Sequence, residues 1–258
     1  ESGSASSPAG MLNTDLWFLL ATGNPEVQGL VRRAVYQMIE RMSLEPPSPH
    51  RGIHNWNTGY AALLLGEYFH ATGDPNVLAY LKHQADQAAV SQIKEPGYYN
   101  GPVTWEVDQT GEQAGGWRQR YNPEGADRWK SGYGLMPHAG MACTMGMQFA
   151  KEAGLEIDEA ALRRAIHHYN EGRAEYAFVL YGYKNVRKDG PAPIKPGAEA
   201  EGMLWSMNGK LGTAATLYSL IDYKGTVDIC ARYCVYGYNN TRHGHGGMFF
   251  NNLWTPIG

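Results

Sequence analysis

A seven-residue phrase occurs twice in the chain, fifty positions apart, and it predicts the architecture. The sequence ATGNPEV at residues 21–27 returns as ATGDPNV at residues 71–77, with five of seven positions identical. The glycine tolerates the left-handed backbone that closes a helix. The next Asn or Asp caps a second helix, whose first turn accepts proline because no N–H is needed there. Each copy is therefore predicted to be the corner of a helical hairpin. Since one hairpin cannot bury its apolar face alone, we expect an array of hairpins.

Hydrophobic periodicity predicts four hairpins and the start of a fifth. The first helices of the later hairpins are small or apolar almost all round, which is typical of helices buried on every side. The second helices are amphipathic and are expected to face water. Inner helices surrounded by outer helices indicate an all-α fold of the α/α-toroid type. The predicted pairs are residues 12–21 and 25–42, 58–72 and 75–92, 138–153 and 158–172, and 210–222 and 227–238, with a further helix from residue 246.

The domain organisation follows from this pattern. We expect a linker over residues 1–10, following a removed leader or another domain, and one toroid domain of about four and a half hairpins over residues 11–258. Its long connections, 94–137 and 183–207, are predicted to be non-helical. The final helix stops short, so we interpret the chain as an incomplete toroid or part of a longer, exported, extracytoplasmic protein.

An incomplete toroid has a physical consequence for its last helix. A ring that lacks hairpins leaves the flank of an inner helix exposed, which predicts self-association or a neighbouring domain. It also predicts that residues 247–254 pack against the first hairpin or another chain.

Composition narrows the function classes. A net charge of -3, a pI near 6.3 and unclustered basic residues argue against a nucleic-acid partner. The longest apolar runs are far too short to span a bilayer, so no membrane span is expected. The cysteines at 143, 230 and 234 exclude a disulfide framework. Cys230 and Cys234 share a helical face, which favours core packing, with a metal pair as the alternative.

The inner helices of a toroid all begin at one end, and this end is the predicted site. Unpaired N–H groups and positive dipole ends meet there, which favours a polar or anionic ligand. Helix capping by itself would explain the Asn and His residues that precede any one inner helix. An N-cap, however, needs neither a Trp nor two His residues. The predicted catalytic residues at this end are His138, Tyr238, Arg242, His243 and His245, and the predicted substrate-binding residues are His54, Asn55, Trp56, Asn57, Asn208 and Asn240.

The connection 94–137 interleaves aromatic rings with carboxylates. Rings stack on the apolar faces of pyranoses, and two carboxylates can supply the acid and base of glycoside chemistry. Most acidic loop residues are simply solvated, and residues 122–128 are also explained as a turn with a local ion pair. We assign Glu124 and Asp127 as candidate catalytic residues and Trp105, Trp117 and Trp129 as candidate substrate platforms, with Glu106 and Asp108 as further carboxylates.

His243 and His245 allow two chemistries. A His-x-His pair can bind zinc or combine a general base with a cation. No Cys or carboxylate stands at matching ligand spacing, so we expect no cofactor, with zinc at this pair as the alternative.

The motifs NTG at residues 57–59, NGKLG at 208–212 and HGHGG at 243–247 resemble an uncharacterised bacterial family of toroid proteins. The inner–outer pattern is similar in architecture to six-hairpin glycosidases and toroid polysaccharide lyases. The lyases use Asn, His, Tyr and Arg to neutralise a uronate and move its proton. The same residue types occur here as Asn240, His243, Tyr238 and Arg242, although within one short stretch.

Other toroid families are disfavoured by single residues. The thioester motif needs a Cys where Thr110 stands, the Asp-x-Asp-Asp acid of terpenoid cyclases is absent, and lanthipeptide cyclases need two cysteine motifs that do not occur. The leading hypothesis is therefore a glycan-active domain, lyase-like or hydrolase-like, with a polar or anionic glycan as partner. The alternative is a non-catalytic binding or structural module of a larger exported protein.

Overall fold

The computed structural model describes residues 8–46, 52–94, 116–117, 120–121, 136–171, 198–236 and 254. This part of the chain is all-α, as predicted. It contains eight α-helices, four of which come first in a hairpin and four second. In chain order they are α1 Pro8–Ala21, α2 Pro25–Ile39, α3 Asn55–Thr72, α4 Leu78–Ser91, α5 Pro137–Glu152, α6 Glu159–Glu171, α7 Ala198–Leu220 and α8 Lys224–Tyr236.

Two short elements complete the described part. A 3-10 turn, Pro75–Val77, precedes α4. Strand β1, Ile53–His54, pairs antiparallel with β2, Arg120–Tyr121, with Ile53 opposite Tyr121. This two-residue ladder ties the connection after α4 to the residues that lead into α3.

The repeated phrase forms the same corner twice. Gly23 and Gly73 adopt the left-handed φ values of 61° and 68° that the sequence predicts. Asn24 and Asp74 then cap the following helix through their side chains, each accepting from the N–H two residues on, at 3.0 and 3.1 Å. Tyr36 of α2 donates to Asp74 at 2.8 Å, so neighbouring hairpins are also joined at their corners.

The first helices of successive hairpins lie side by side. Helix α3 contacts α1 and α5, and α5 contacts α7. The contacts between α3 and α5 advance along both helices, because Gly59 faces Ala142 whereas Gly66 faces Phe149. Helices α3 and α5 are therefore parallel. Helix α7 runs the same way, since Thr213 contacts His138 at the start of α5 and Leu220 shares a cavity with Phe149 near its end.

Burial separates the first helices α3, α5 and α7 from the second helices. Residues 58–66 of α3, 137–147 of α5 and 209–215 of α7 are all buried. Helix α2 buries one stripe, Val31, Val35 and Ile39, and leaves Arg32 and Arg33 in water. The first helices α1, α3, α5 and α7 thus contact one another in chain order, with second helices packed beside them, and the toroid arrangement stays a prediction.

One predicted boundary is wrong. Residues 198–207 were predicted to belong to a non-helical connection, whereas α7 begins at Ala198. The run from Ala198 to Leu204 contains Ala, Glu, Met and Leu, which are strong helix formers, and one Gly does not outweigh them. Asn208 consequently lies inside α7, and its predicted position before an inner helix is wrong. About 20 Å of α7 precede Thr213, so this helix extends beyond the start of α5.

Trp254 closes the described core. It is fully buried, its indole N–H donates to the Tyr60 hydroxyl at 2.9 Å, and its ring lies 5.1 Å from that of Trp17 in α1. The predicted contact of residues 247–254 with the first hairpin is therefore observed at Trp254. No helix in the described ranges is long and apolar enough to cross a membrane.

Candidate functional site

Connection lengths distinguish the two ends of the helix array. Each inner helix leads to its outer helix through a short turn, such as residues 22–24 or 221–223. Each outer helix returns through a longer segment, residues 40–52, 92–136 and 172–197. Long connections held by a rigid scaffold commonly carry binding and catalytic groups. The end where the inner helices begin is therefore the better place to look for a site, and the predicted site at this end stays a prediction.

A cavity of about 500 Å³ opens at this end between α2, the start of α3 and α4. The predicted residues His54 and Asn57 both line it, each half-buried. Its floor includes the buried side chains of Thr58 and Gln84, and Arg41 stands exposed at its rim. The remaining lining residues are Ala34, Gln37, Met38, Met42, Gly52, Ile53, Ala61 and Gln87.

We call this space the amide cavity, after Asn57, Gln84 and Gln87 in its lining. Hydrogen bonds to neighbouring side chains hold its polar groups in place. The Gln87 side-chain nitrogen lies 2.7 Å from Nε2 of His83, and the Thr58 hydroxyl donates to Gln87 Oε1 at 3.5 Å. An amide nitrogen can only donate, so His83 Nε2 accepts and the imidazole is neutral. Burial lowers the pKa of His83, with a smaller opposing effect from Asp86, which agrees with that neutral form.

Sequence reasoning did not identify the glutamines of α4 as site residues. Gln84 and Gln87 lie on an outer helix that reads as an ordinary amphipathic segment. Amides at positions i and i+3 share a helix face, which was the available signal. Only the packing of α4 beside α3 shows that this face lines a cavity.

His138, the predicted catalytic histidine at the start of α5, is buried and lies apart from the amide cavity lining. Its Nδ1 lies 3.1 Å from the Thr213 hydroxyl oxygen, whose proton goes to the Gly209 carbonyl at 2.8 Å. Nδ1 of His138 must therefore be the donor. Trp56 lies over His138 with ring centroids 6.3 Å apart, so it links the start of α3 to the start of α5.

Lys210 is a buried lysine that was not predicted as a site residue. It is 2% exposed and lies one helical turn before Thr213 on α7. Burial lowers its pKa to about 7. A lysine at the start of a stretch predicted to be buried on all sides was the signal that could have identified it.

Two of the predicted substrate-binding residues are packed inside the fold. Asn55 is fully buried, and its Oδ1 accepts from Ser91 of α4 at 2.7 Å. Trp117 is 1% exposed, and its indole N–H donates to the Ala88 carbonyl at 2.8 Å. Backbone bonds on either side of Trp117 join residues 116–117 to Ile93 and Met136. In this structure both side chains hold helices and a connection together.

The other predicted residues are not among those the structure describes. They are Trp105, Glu106, Asp108, Glu124, Asp127, Trp129, Tyr238, Asn240, Arg242, His243 and His245, together with the side chain of Asn208. Their roles, the zinc alternative at His243 and His245, and the grouping of all candidates around one cavity stay predictions. Within the described ranges, no group of three His, Cys, Asp or Glu residues could hold a metal ion.

Comparison with known proteins adds the family. A family model described as a domain of unknown function, DUF6288, matches residues 4–258. No curated protein matches the chain, and no solved structure does. The prediction of an uncharacterised family is confirmed, while the similarity to known toroids and the bacterial origin stay predictions.

Proposed function

The chain belongs to the DUF6288 family, a domain of unknown function, and from that premise we propose that it binds an anionic glycan in the amide cavity and acts on it by lyase-type elimination. The observation that carries the proposal is that His54, Asn57 and Arg41 line one cavity at the start of α3. Two of the three were predicted as site residues from the sequence.

The composition of the cavity suits a sugar chain. Amide groups both donate and accept hydrogen bonds, as hydroxyl groups of a sugar require. Apolar side chains such as Met38 and Ala61 offer surface for the C–H faces of a ring. A guanidinium binds a carboxylate through two parallel hydrogen bonds, so Arg41 favours a uronate over a neutral sugar.

The same residues suit elimination at a uronate. In this reaction a base removes the proton on the carbon beside the carboxylate. The bond to the glycosidic oxygen then breaks, a C=C bond forms, and the leaving oxygen takes up a proton. Arg41 and Asn57 would neutralise the carboxylate, which makes the proton on the neighbouring carbon more acidic. His54 would be the base that removes this proton. Asn, His and Arg are three of the four residue types that toroid lyases use.

The cavity is less suited to glycoside hydrolysis. That reaction needs two carboxylic acids flanking the bond, and no carboxylate lines the amide cavity among the residues that the structure describes. The second candidate function is binding without turnover, which amides beside one guanidinium would support equally well.

Calorimetry with uronate oligosaccharides and their neutral counterparts tests the binding step. We expect the uronate to bind more tightly, and Arg41→Gln to weaken uronate binding about tenfold or more while leaving the neutral sugar unchanged, since a charge-assisted bond contributes about 1.5–3 kcal/mol. Arg33→Gln is the matched control, because Arg33 is an exposed arginine of α2, eight positions before Arg41, and does not line the cavity. Equal losses in the two variants, or no preference for uronates, would refute the proposal.

The ultraviolet absorbance of the new C=C bond tests the chemical step. We expect His54→Ala to abolish the signal while the melting temperature changes little, because His54 is only half-buried. His167→Ala, an exposed histidine on α6, is the control. Uronate binding without any absorbance change in the unaltered protein would establish the binding module instead.

A further inference from the structure

A second cavity, of about 430 Å³, lies among the inner helices toward the ends where they lead into their short turns. It is lined from α1 by Trp17, from α3 by Leu63 and Glu67, from α5 by Phe149, and from α7 by Thr216, among others. Pockets that bind small molecules have volumes of about 300–1,000 Å³. A space of this size, bordered by α1, α3, α5, α7 and α8, can therefore admit a small ligand.

The lining of this central cavity is mainly apolar, with one carboxylate. Trp17, Leu63 and Phe149 form apolar walls, while the described polar side chains are Glu67, Thr216 and Ser219. Pockets that bind small molecules have this character, with a few polar groups set in apolar walls.

Glu67 is the only charged side chain in the described lining. The Trp17 side chain hydrogen-bonds to it, and burial raises the pKa of the carboxyl despite the opposing effect of His70. Glu67 also borders a smaller cavity of about 280 Å³ between α1 and α3, again beside Trp17. A carboxylate exposed to two apolar spaces gains most from a positively charged partner, because charges attract strongly where water is scarce.

We propose that the central cavity is a second binding site, which takes an apolar primary ammonium compound whose charged end pairs with Glu67. The apolar body lies against Leu63 and Phe149, and Thr216 and Ser219 accept the remaining ammonium hydrogen bonds. Glu67 lies on α3, thirteen positions after His54, the residue that precedes this helix. The two residues are therefore about 20 Å apart along the helix axis. The site is thus separate from the amide cavity, and its failure would leave the proposed function untouched.

Calorimetric titration with hexylammonium, hexanol and hexanoate tests this inference. The three probes share an apolar chain and differ in charge. We expect hexylammonium to bind at least tenfold more tightly than hexanol, and hexanoate to bind more weakly than either. Glu67→Gln should reduce the preference for hexylammonium over hexanol to less than threefold, because the amide keeps an acceptor for Trp17 but loses the charge.

Glu26→Gln, at an exposed position in the first turn of α2, is the matched control and should change nothing. A melting curve establishes that each variant is folded. Equal binding of hexylammonium and hexanol to the unaltered protein, or an undiminished preference in Glu67→Gln, would overturn the proposal. No binding of hexylammonium at all would overturn it as well.

Discussion

The close approach of α3 and α5 makes a prediction that separates packing from helix propensity. A methyl group added at Gly59 would lie 2.8 Å from the Ala142 Cβ and 2.9 Å from the Cys143 backbone nitrogen. At Gly66 it would lie 2.6 Å from the Phe149 Cβ. Carbon atoms prefer about 3.5–4.0 Å, and neither a Cβ nor a backbone nitrogen can move aside by rotating a side chain.

Two terms of opposite sign set the magnitude. Alanine is favoured over glycine inside a helix by about 1 kcal/mol. Overpacking a well-filled interior costs about 1–3 kcal/mol. Gly59→Ala is therefore expected to lower the free energy of unfolding by up to about 2 kcal/mol. Gly29→Ala should raise it by up to about 1 kcal/mol, since Gly29 is exposed on α2 and only the end of Arg33 approaches it, at 3.8 Å.

Thermal unfolding of the two variants measures the contrast. For a domain of this size we expect the melting temperature of Gly59→Ala to lie roughly 5 °C below that of Gly29→Ala. Gly66→Ala should behave like Gly59→Ala. If both substitutions on α3 raise the melting temperature as much as Gly29→Ala does, the two inner helices are not in contact as described, and the argument for parallel inner helices fails with them.

Two further predictions concern buried groups. The ordinary pKa of a lysine is 10.5 and that of folded Lys210 is about 7. Between these values only the unfolded chain holds the proton, so the stability of the unaltered protein rises with pH. Lys210→Met should therefore be most stable relative to the unaltered protein at or below pH 7, as measured by the difference in melting temperature. Between pH 7 and pH 10 the corresponding difference in unfolding free energy should shrink by at most about 5 kcal/mol. A constant difference across that range would contradict the burial of the amino group. Trp254→Ala should lower the unfolding free energy by about 3–5 kcal/mol, because a large ring is lost between Tyr60 and Trp17. Trp254→Phe, which keeps a ring but loses the 2.9 Å bond to Tyr60, should cost about 1 kcal/mol in a denaturant titration, and equal losses in the two variants would show that the ring does not pack there.

The corners and the two classes of helix were predictable from the sequence because their causes are local. Gly73 takes its left-handed conformation and Asp74 caps the next helix through atoms two residues away. The apolar run after Gly59 fills a whole turn of α3, which only complete burial can accommodate. Such signals lie within one helical turn of each residue concerned. The start of α7 was mispredicted because the Gly and Asn residues at 208–209 outweighed, in that interpretation, the strong helix formers between Ala198 and Leu204.

The site could be predicted only in part, since burial depends on partners far along the chain. His54, Asn55, Trp56 and Asn57 are consecutive and looked equivalent. The position of α4 distinguishes two of them: Asn55 turns to Ser91, thirty-six residues away, whereas Asn57 lines a cavity beside α2.

The sequence by itself determined where the chain turns and which helices are buried, and it singled out His54 and Asn57 at the start of α3. Only the tertiary structure decided which of those residues line a cavity and that Gln84 joins them from an outer helix. It also decided that Glu67 lines a mainly apolar space between five helices. The reason is geometric. Turn and capping energies act between neighbours in sequence, whereas a cavity is bounded by side chains from several helices and exists only once those helices have packed.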